Sequence, residues 1–215
     1  MDFFQHLLDF ILHIDKHLLE IVNEYDKLTY VILCLIIFCE TGLVFTPFLP
    51  GDSLLFAAGA LAAQQIGLEI GILIPLLFVA AVLGDSSNYF IGKFVGERII
   101  NAKRSFIRKE YLEKTHVFYE KHGGKTVVLA RFMPILRTFA PFVAGLGAMV
   151  YARFLRFSVI GNVIWIGLFT IAGYLFGNIT WVKDNFSSVI LAIIAISLLP
   201  MVIAFIREKF MSTAK

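Results

Sequence analysis

The residues with the greatest chemical capacity are four charges set in apolar sequence. Glu40 and Asp52 lie in the stretch Phe38-Cys39-Glu40-Thr41-Gly42-Leu43-Val44-Phe45-Thr46-Pro47-Phe48-Leu49-Pro50-Gly51-Asp52. Arg131 and Arg137 lie in Ala130-Arg131-Phe132-Met133-Pro134-Ile135-Leu136-Arg137-Thr138-Phe139-Ala140-Pro141. A carboxylate at bilayer depth costs about 2.5–3.5 kcal/mol even on the lenient insertion scale, and intramembrane ionisable residues mark pathways. Guanidinium is permanently charged and engages pairs of oxygens bidentately, so Arg131 and Arg137 suit a phosphate. Burial favours the neutral form of a carboxyl, and a close pair cannot both ionise cheaply, so Glu40 and Asp52 suit proton coupling.

Such residues need elements that bring them together. On a straight helix Glu40 and Asp52 would be about 18 Å apart, and Arg131 and Arg137 would point roughly 120° away from each other. Proline removes a backbone donor and clashes with the preceding turn, so Pro47, Pro50 and Gly51 should break one segment, and Pro134 and Pro141 the other. Broken backbone at bilayer depth is tolerated only where protein or a watery cavity surrounds it. Two hairpins are therefore expected, one with an acidic tip and one with a basic tip over Pro134–Arg137, meeting in a shared pocket within the bilayer.

The bulk composition agrees. At 215 residues, 59% hydrophobic, with mean hydropathy +0.82, the chain has the composition of an integral membrane protein. The net charge is only +3. Basic residues are not interleaved with base-stacking aromatics on a soluble face, so nucleic acid is not expected as a partner. Cys34 and Cys39 have neither disulfide nor metal-ligand spacing. No basic n-region with a cleavage site opens the chain, so no removed signal peptide is expected.

Taken in order, residues 1–27 form an amphipathic helix too polar to span, suited to the interface. Its histidines, His6, His13 and His17, fall loosely on one face, but no ligand set completes a metal site. Residues 28–67 form the first hairpin. Its second arm, Ser53 to Ala63, is about 16 Å long and too short to cross, while whether Leu28 to Thr46 crosses is open. Residues 68–96 form a span carrying Asp85, which is either a third member of the polar site or a structural hydrogen-bonder near Ser86 and Asn88. Residues 97–125 are the basic loop, cytoplasmic by the positive-inside bias, as is the C-terminus after Arg207 and Lys209. Residues 126–151 form the second hairpin, and 152–177 and 187–207 the remaining spans.

The halves echo one another. Each runs from a proline-broken hairpin through an alanine–glycine turn to a span. The turns are Ala57-Ala58-Gly59-Ala60 and Val143-Ala144-Gly145-Leu146, and the spans end in Gly92–Gly96 and Gly173–Gly177. Hairpins entered from opposite sides, with a midplane site between broken elements, are a construction of secondary transporters. The expected fold class is thus all-α integral membrane, an inverted-repeat, transporter-like fold. It has two facing re-entrant helical hairpins, three full transmembrane helices and an N-terminal amphipathic helix.

The sequence resembles the DedA family, the bacterial branch of the VTT/SNARE-associated membrane proteins. The matching features are Phe38-Cys39-Glu40-Thr41-Gly42, Pro47-Phe48-Leu49-Pro50-Gly51-Asp52-Ser53-Leu54-Leu55, Tyr119-Glu120-Lys121-His122-Gly123-Gly124-Lys125 and Ala130-Arg131-Phe132-Met133-Pro134-Ile135-Leu136-Arg137-Thr138. The match covers nearly the whole chain. The resemblance implies a multi-pass protein of the bacterial inner membrane, dependent on protons or membrane potential, with roles in envelope integrity, cell division and resistance. It also implies translocation of undecaprenyl phosphate or a phospholipid. The family's acidic pair falls on Glu40 and Asp52, and its arginine pair on Arg131 and Arg137.

The resulting expectation is a lipid flippase rather than an enzyme. Arg131 and Arg137 would bind the lipid phosphate and Glu40 and Asp52 would carry protons, with no cofactor and no metal. Membrane lipids and protons are the expected partners, and a homo-oligomer is left open. Three other readings compete. The acids and arginines could be structural ion pairs, although buried pairs often add little net stability. A proton-coupled cation antiporter would use Glu40 and Asp52 for the ion but leaves the arginines as mere counter-charges. An integral-membrane lipid phosphatase needs a nucleophile or metal near the arginines, and none is apparent in the sequence.

Overall fold

The computed structural model describes residues 14–43, 51–65, 67–101, 124–147 and 149–213. The expectations for Pro47 and Pro50, for residues 1–13 and for 102–123 of the basic loop fall outside the described residues. Among the described residues every regular element is a helix. These are α1 (Ile14–Tyr25), α2 (Leu28–Gly42), α3 (Gly51–Ala63), α4 (Ile70–Asn101), α5 (Lys125–Ala130), α6 (Pro134–Leu146), α7 (Tyr151–Phe176), α8 (Thr180–Asp184) and α9 (Phe186–Thr213).

Two of them, over Ile70–Gly96 and Tyr151–Phe176, are long and apolar enough to cross a membrane. At 1.5 Å per residue each is about 40 Å long, against a hydrocarbon core of about 30 Å. Their sidedness is the reverse of a soluble helix. Helix α4 buries Asp85 and Asn88 with Leu73, Leu77 and Ala81, while Ile72, Leu76, Val79, Leu83 and Phe90 are exposed. Helix α7 likewise buries Ser158, Asn162 and Thr170 and exposes Ile160, Val163, Ile164, Leu168 and Ile171. Lipid solvates an apolar face at no cost, whereas polar side chains must find partners inside the protein. The third expected span, 187–207, lies within α9.

The chain divides into two compact units, one of residues 1–26, 50–70 and 169–215, the other of 27–49 and 71–168. In the first unit α1 and α9 pack on α3. Helix α1 buries Leu18 and Val22 there, the apolar stripe expected of an amphipathic helix. Helix α3 is apolar almost all round, and every residue from Gly51 to Ala62 is buried. It also packs tightly on the end of α7. A side chain at Gly59 would strike the Thr170 carbonyl, and one at Gly173 would strike the Phe56 carbonyl. A side chain at Gly177 would meet Ala60.

In the second unit α5 folds back on α6. The turn is Arg131–Met133, closed by three short-range bonds: Arg131 N–H to Val128 O (3.2 Å), Phe132 N–H to Leu129 O (3.2 Å) and Met133 N–H to Ala130 O (3.0 Å). The break therefore precedes Pro134 instead of occupying Pro134–Arg137. Proline at the first helical position lacks only a donor that would have no intrahelical partner, so Pro134 opens α6 and places Arg137 in its first turns. Nor does Pro141 break the chain, since α6 runs through it to Leu146. A proline within a membrane helix is tolerated when surrounding protein satisfies the freed carbonyl. Helix α6 lies against α4 with the register seen in the first unit. Gly145 admits the Tyr89 carbonyl, Gly92 admits the Phe142 carbonyl, and Gly96 lies against Leu146.

Candidate functional site

The second unit gathers its polar side chains around one stretch of α4. At Gly84 a side chain would collide with Thr41 and the Phe38 carbonyl, so the end of α2 can press onto α4. That contact brings Glu40 beside the turn carrying Asp85 and Asn88. The Asn88 side-chain amide donates to the Thr41 carbonyl at 3.0 Å and to the Thr138 carbonyl at 2.7 Å. One amide thus ties the residue after Glu40 to the residue after Arg137. The two ends that carry the charges are held in register by backbone, independently of the charges themselves.

Both arginines meet carboxylates. Arg137 Nη2 donates to Glu40 Oε1, and Arg131 Nη2 donates to Asp85 Oδ2. All four residues are buried, with Glu40 and Asp85 at 0% exposure and the arginines at 4% and 6%. Two positive and two negative charges cancel, as a low-dielectric interior requires. Asp85 accepts further bonds at the same oxygen, from Ser158 Oγ at 2.5 Å and Asn162 Nδ2 at 2.9 Å. Helix α7 therefore helps to hold this carboxylate. Asp85 Oδ1, Arg131 Nη1 and Asn162 Oδ1 are buried without a hydrogen-bond partner among the described residues. Buried polar atoms are normally bonded, so these retain capacity for an oxygen-rich or protic ligand.

Of the residues singled out from the sequence, Glu40, Asp85, Arg131 and Arg137 come together in this unit. Asp85, for which two roles were open, is the partner of Arg131. Asp52 belongs to the other unit, in the first turn of α3, where a carboxylate also complements the helix dipole. There Ser197 Oγ donates to Asp52 Oδ2 at 2.6 Å. Gly51 is the first residue of α3 and Pro134 the first of α6. Sequence reasoning passed over Ser158, Asn162 and Trp165, because α7 read as a plain span. Their spacing of four and three does place them on one helical face, and that regularity was the available signal. Among the described residues no three histidine, cysteine or acidic side chains gather as metal ligands.

Each guanidinium has a resident carboxylate, and protonating that carboxylate would release the cation to another anion. The chain's relatives are in keeping with a membrane setting. The VTT domain model matches residues 49–175. Protein DedA of Escherichia coli K12 is 56% identical over 211 residues, covering 97% of this chain and 96% of that protein. An uncharacterized membrane protein of Mycobacterium leprae is 46% identical over 170 residues, 79% of this chain and 76% of its own. Inner membrane protein YqjA of Escherichia coli K12 is 36% identical over 151 residues, 69% of this chain and 68% of its own. No solved structure matches.

Proposed function

Because the chain belongs to the DedA family of VTT-domain membrane proteins, we propose that it carries a phosphate-headed lipid across the bacterial inner membrane by exchanging internal carboxylates for the lipid phosphate. Undecaprenyl phosphate and phospholipids are the candidate cargo. The observation that carries this reading is the pair of buried arginine–carboxylate bridges, Arg137–Glu40 and Arg131–Asp85, within a single unit. Four buried charges are a poor device for rigidity, since a buried pair contributes little net stability over apolar packing. They are a good device for an anion that must bind and leave. A proton arriving at Glu40 neutralises it and frees Arg137 for phosphate; loss of the proton restores the bridge and expels the lipid. Asp52 would serve as a second proton carrier.

In this reading residues 28–67 and 126–151 are re-entrant hairpins entered from opposite faces, the two halves form an inverted repeat, and the basic segment 97–125 with the C-terminus is cytoplasmic. The reading is tested in proteoliposomes containing labelled undecaprenyl phosphate or labelled phosphatidylethanolamine, with and without a pH gradient. Leaflet exchange of a phosphate-headed lipid, accelerated by the gradient and abolished by Arg137→Ala, is expected. Cation-dependent proton flux without added lipid would point instead to an antiporter, and sustained release of inorganic phosphate to a phosphatase.

A further inference from the structure

We propose that Trp165 is a positioning residue of the phosphate site, its ring holding both guanidiniums in place while they change anions. The inference rests on the phosphate reading above and adds the group that keeps the two cations together.

Trp165 is fully buried, on the face of α7 that carries Ser158 and Asn162. The Arg131 guanidinium carbon lies 5.4 Å from its ring centroid and that of Arg137 lies 5.3 Å away. The two guanidinium carbons can therefore be no farther apart than the sum of those distances, so both cations face one indole. A cation within about 6 Å of an aromatic face is drawn to its negative quadrupole, and indole is the strongest such ring.

The contact has two properties that the carboxylates lack. An indole ring does not gain or lose a proton near neutral pH, so its attraction persists when a carboxylate is neutralised. It also carries no net negative charge that an incoming phosphate would have to displace. During exchange each arginine must part from its carboxylate, and a buried cation with no compensation is costly. Trp165 supplies constant compensation to both.

The test perturbs the ring's electrostatics without changing its packing. In a Trp181→Phe background Trp165 is the sole tryptophan, and biosynthetic incorporation of mono-, di- and trifluorinated tryptophan progressively weakens its negative face. Equilibrium binding of radiolabelled undecaprenyl phosphate is measured on the protein in nanodiscs, alongside its melting temperature. The expected result is a stepwise rise in Kd, about tenfold across the series, with the melting temperature unchanged. Trp165→Tyr should keep part of the affinity and Trp165→Leu should lose it. A flat Kd across the fluorinated series overturns the role of Trp165 while leaving the phosphate site standing. Absence of Arg131-dependent binding to the unfluorinated protein overturns the phosphate reading itself, and the Trp165 role with it.

Discussion

The two units make the same helix contact and put it to different uses. In one, Phe56 and Gly59 of α3 interlock with Thr170 and Gly173 of α7; in the other, Phe142 and Gly145 of α6 interlock with Tyr89 and Gly92 of α4. Each contact presses a backbone carbonyl onto a glycine, an approach that small residues permit and that membrane helices rely on in place of a hydrophobic driving force. Around this shared frame the second unit holds two arginine–carboxylate bridges, whereas Asp52 in the first is held by Ser197. Repetition of the backbone contact with divergence of the charges separates what the fold needs from what the chemistry needs.

The contrast would be broken most severely by removing one member of a bridge. Arg137→Ala leaves the Glu40 carboxylate buried without that cation, and should cost about 3–5 kcal/mol, seen as a large drop in melting temperature in detergent together with loss of lipid exchange. The double variant Glu40→Gln/Arg137→Gln should recover much of the stability and none of the exchange. If it recovers both, the bridge is structural only.

Next in size are the repeated contacts themselves. Gly59→Ala and Gly145→Ala each drive a methyl group into a backbone carbonyl, and each should destabilise by about 1–3 kcal/mol, in like measure. Melting temperatures that differ widely between the two variants would show that the echo between the units is not energetic. Asn88→Ala removes the amide that joins the carbonyls of Thr41 and Thr138 and should cost about 1–3 kcal/mol. Lipid exchange should fall with it, because Glu40 and Arg137 lose their common register; full exchange in this variant would remove Asn88 from the site. The smallest stability change is expected for Asp52→Asn, about 0.5–1.5 kcal/mol, since an amide can still bond Ser197. Its effect should appear in the pH profile of exchange, and an unaltered profile would take Asp52 out of the proton route.

Much of this is legible in the amino-acid sequence. Proline at 134 announced that the chain must break between Arg131 and Arg137, although its own comfort at a helix start put the turn at Arg131–Met133. Buried charges were legible from their apolar surroundings alone, as were the two long apolar helices with Gly92–Gly96 and Gly173–Gly177 towards their ends. Ala57–Ala60 and Val143–Leu146, expected as turns, lie instead within α3 and α6, where their small residues let the helices pack closely. Family membership was legible from motifs spread along the chain. The face of α7 was not. Ser158, Asn162 and Trp165 are unremarkable residues one by one, and helical spacing says only that they share a side, not what that side meets.

By itself, then, the sequence determined that this is an all-helical membrane protein with carboxylates and guanidiniums drawn inside, because apolar runs and proline positions act locally and are fixed by covalent geometry and hydropathy. Only the tertiary structure decided the pairing: Arg131 with Asp85 rather than another acid, Arg137 with Glu40, and one indole against both. Those partners are separated by tens of residues to nearly a hundred along the chain, and a charge selects its partner by distance and desolvation, quantities that exist only once the helices are packed.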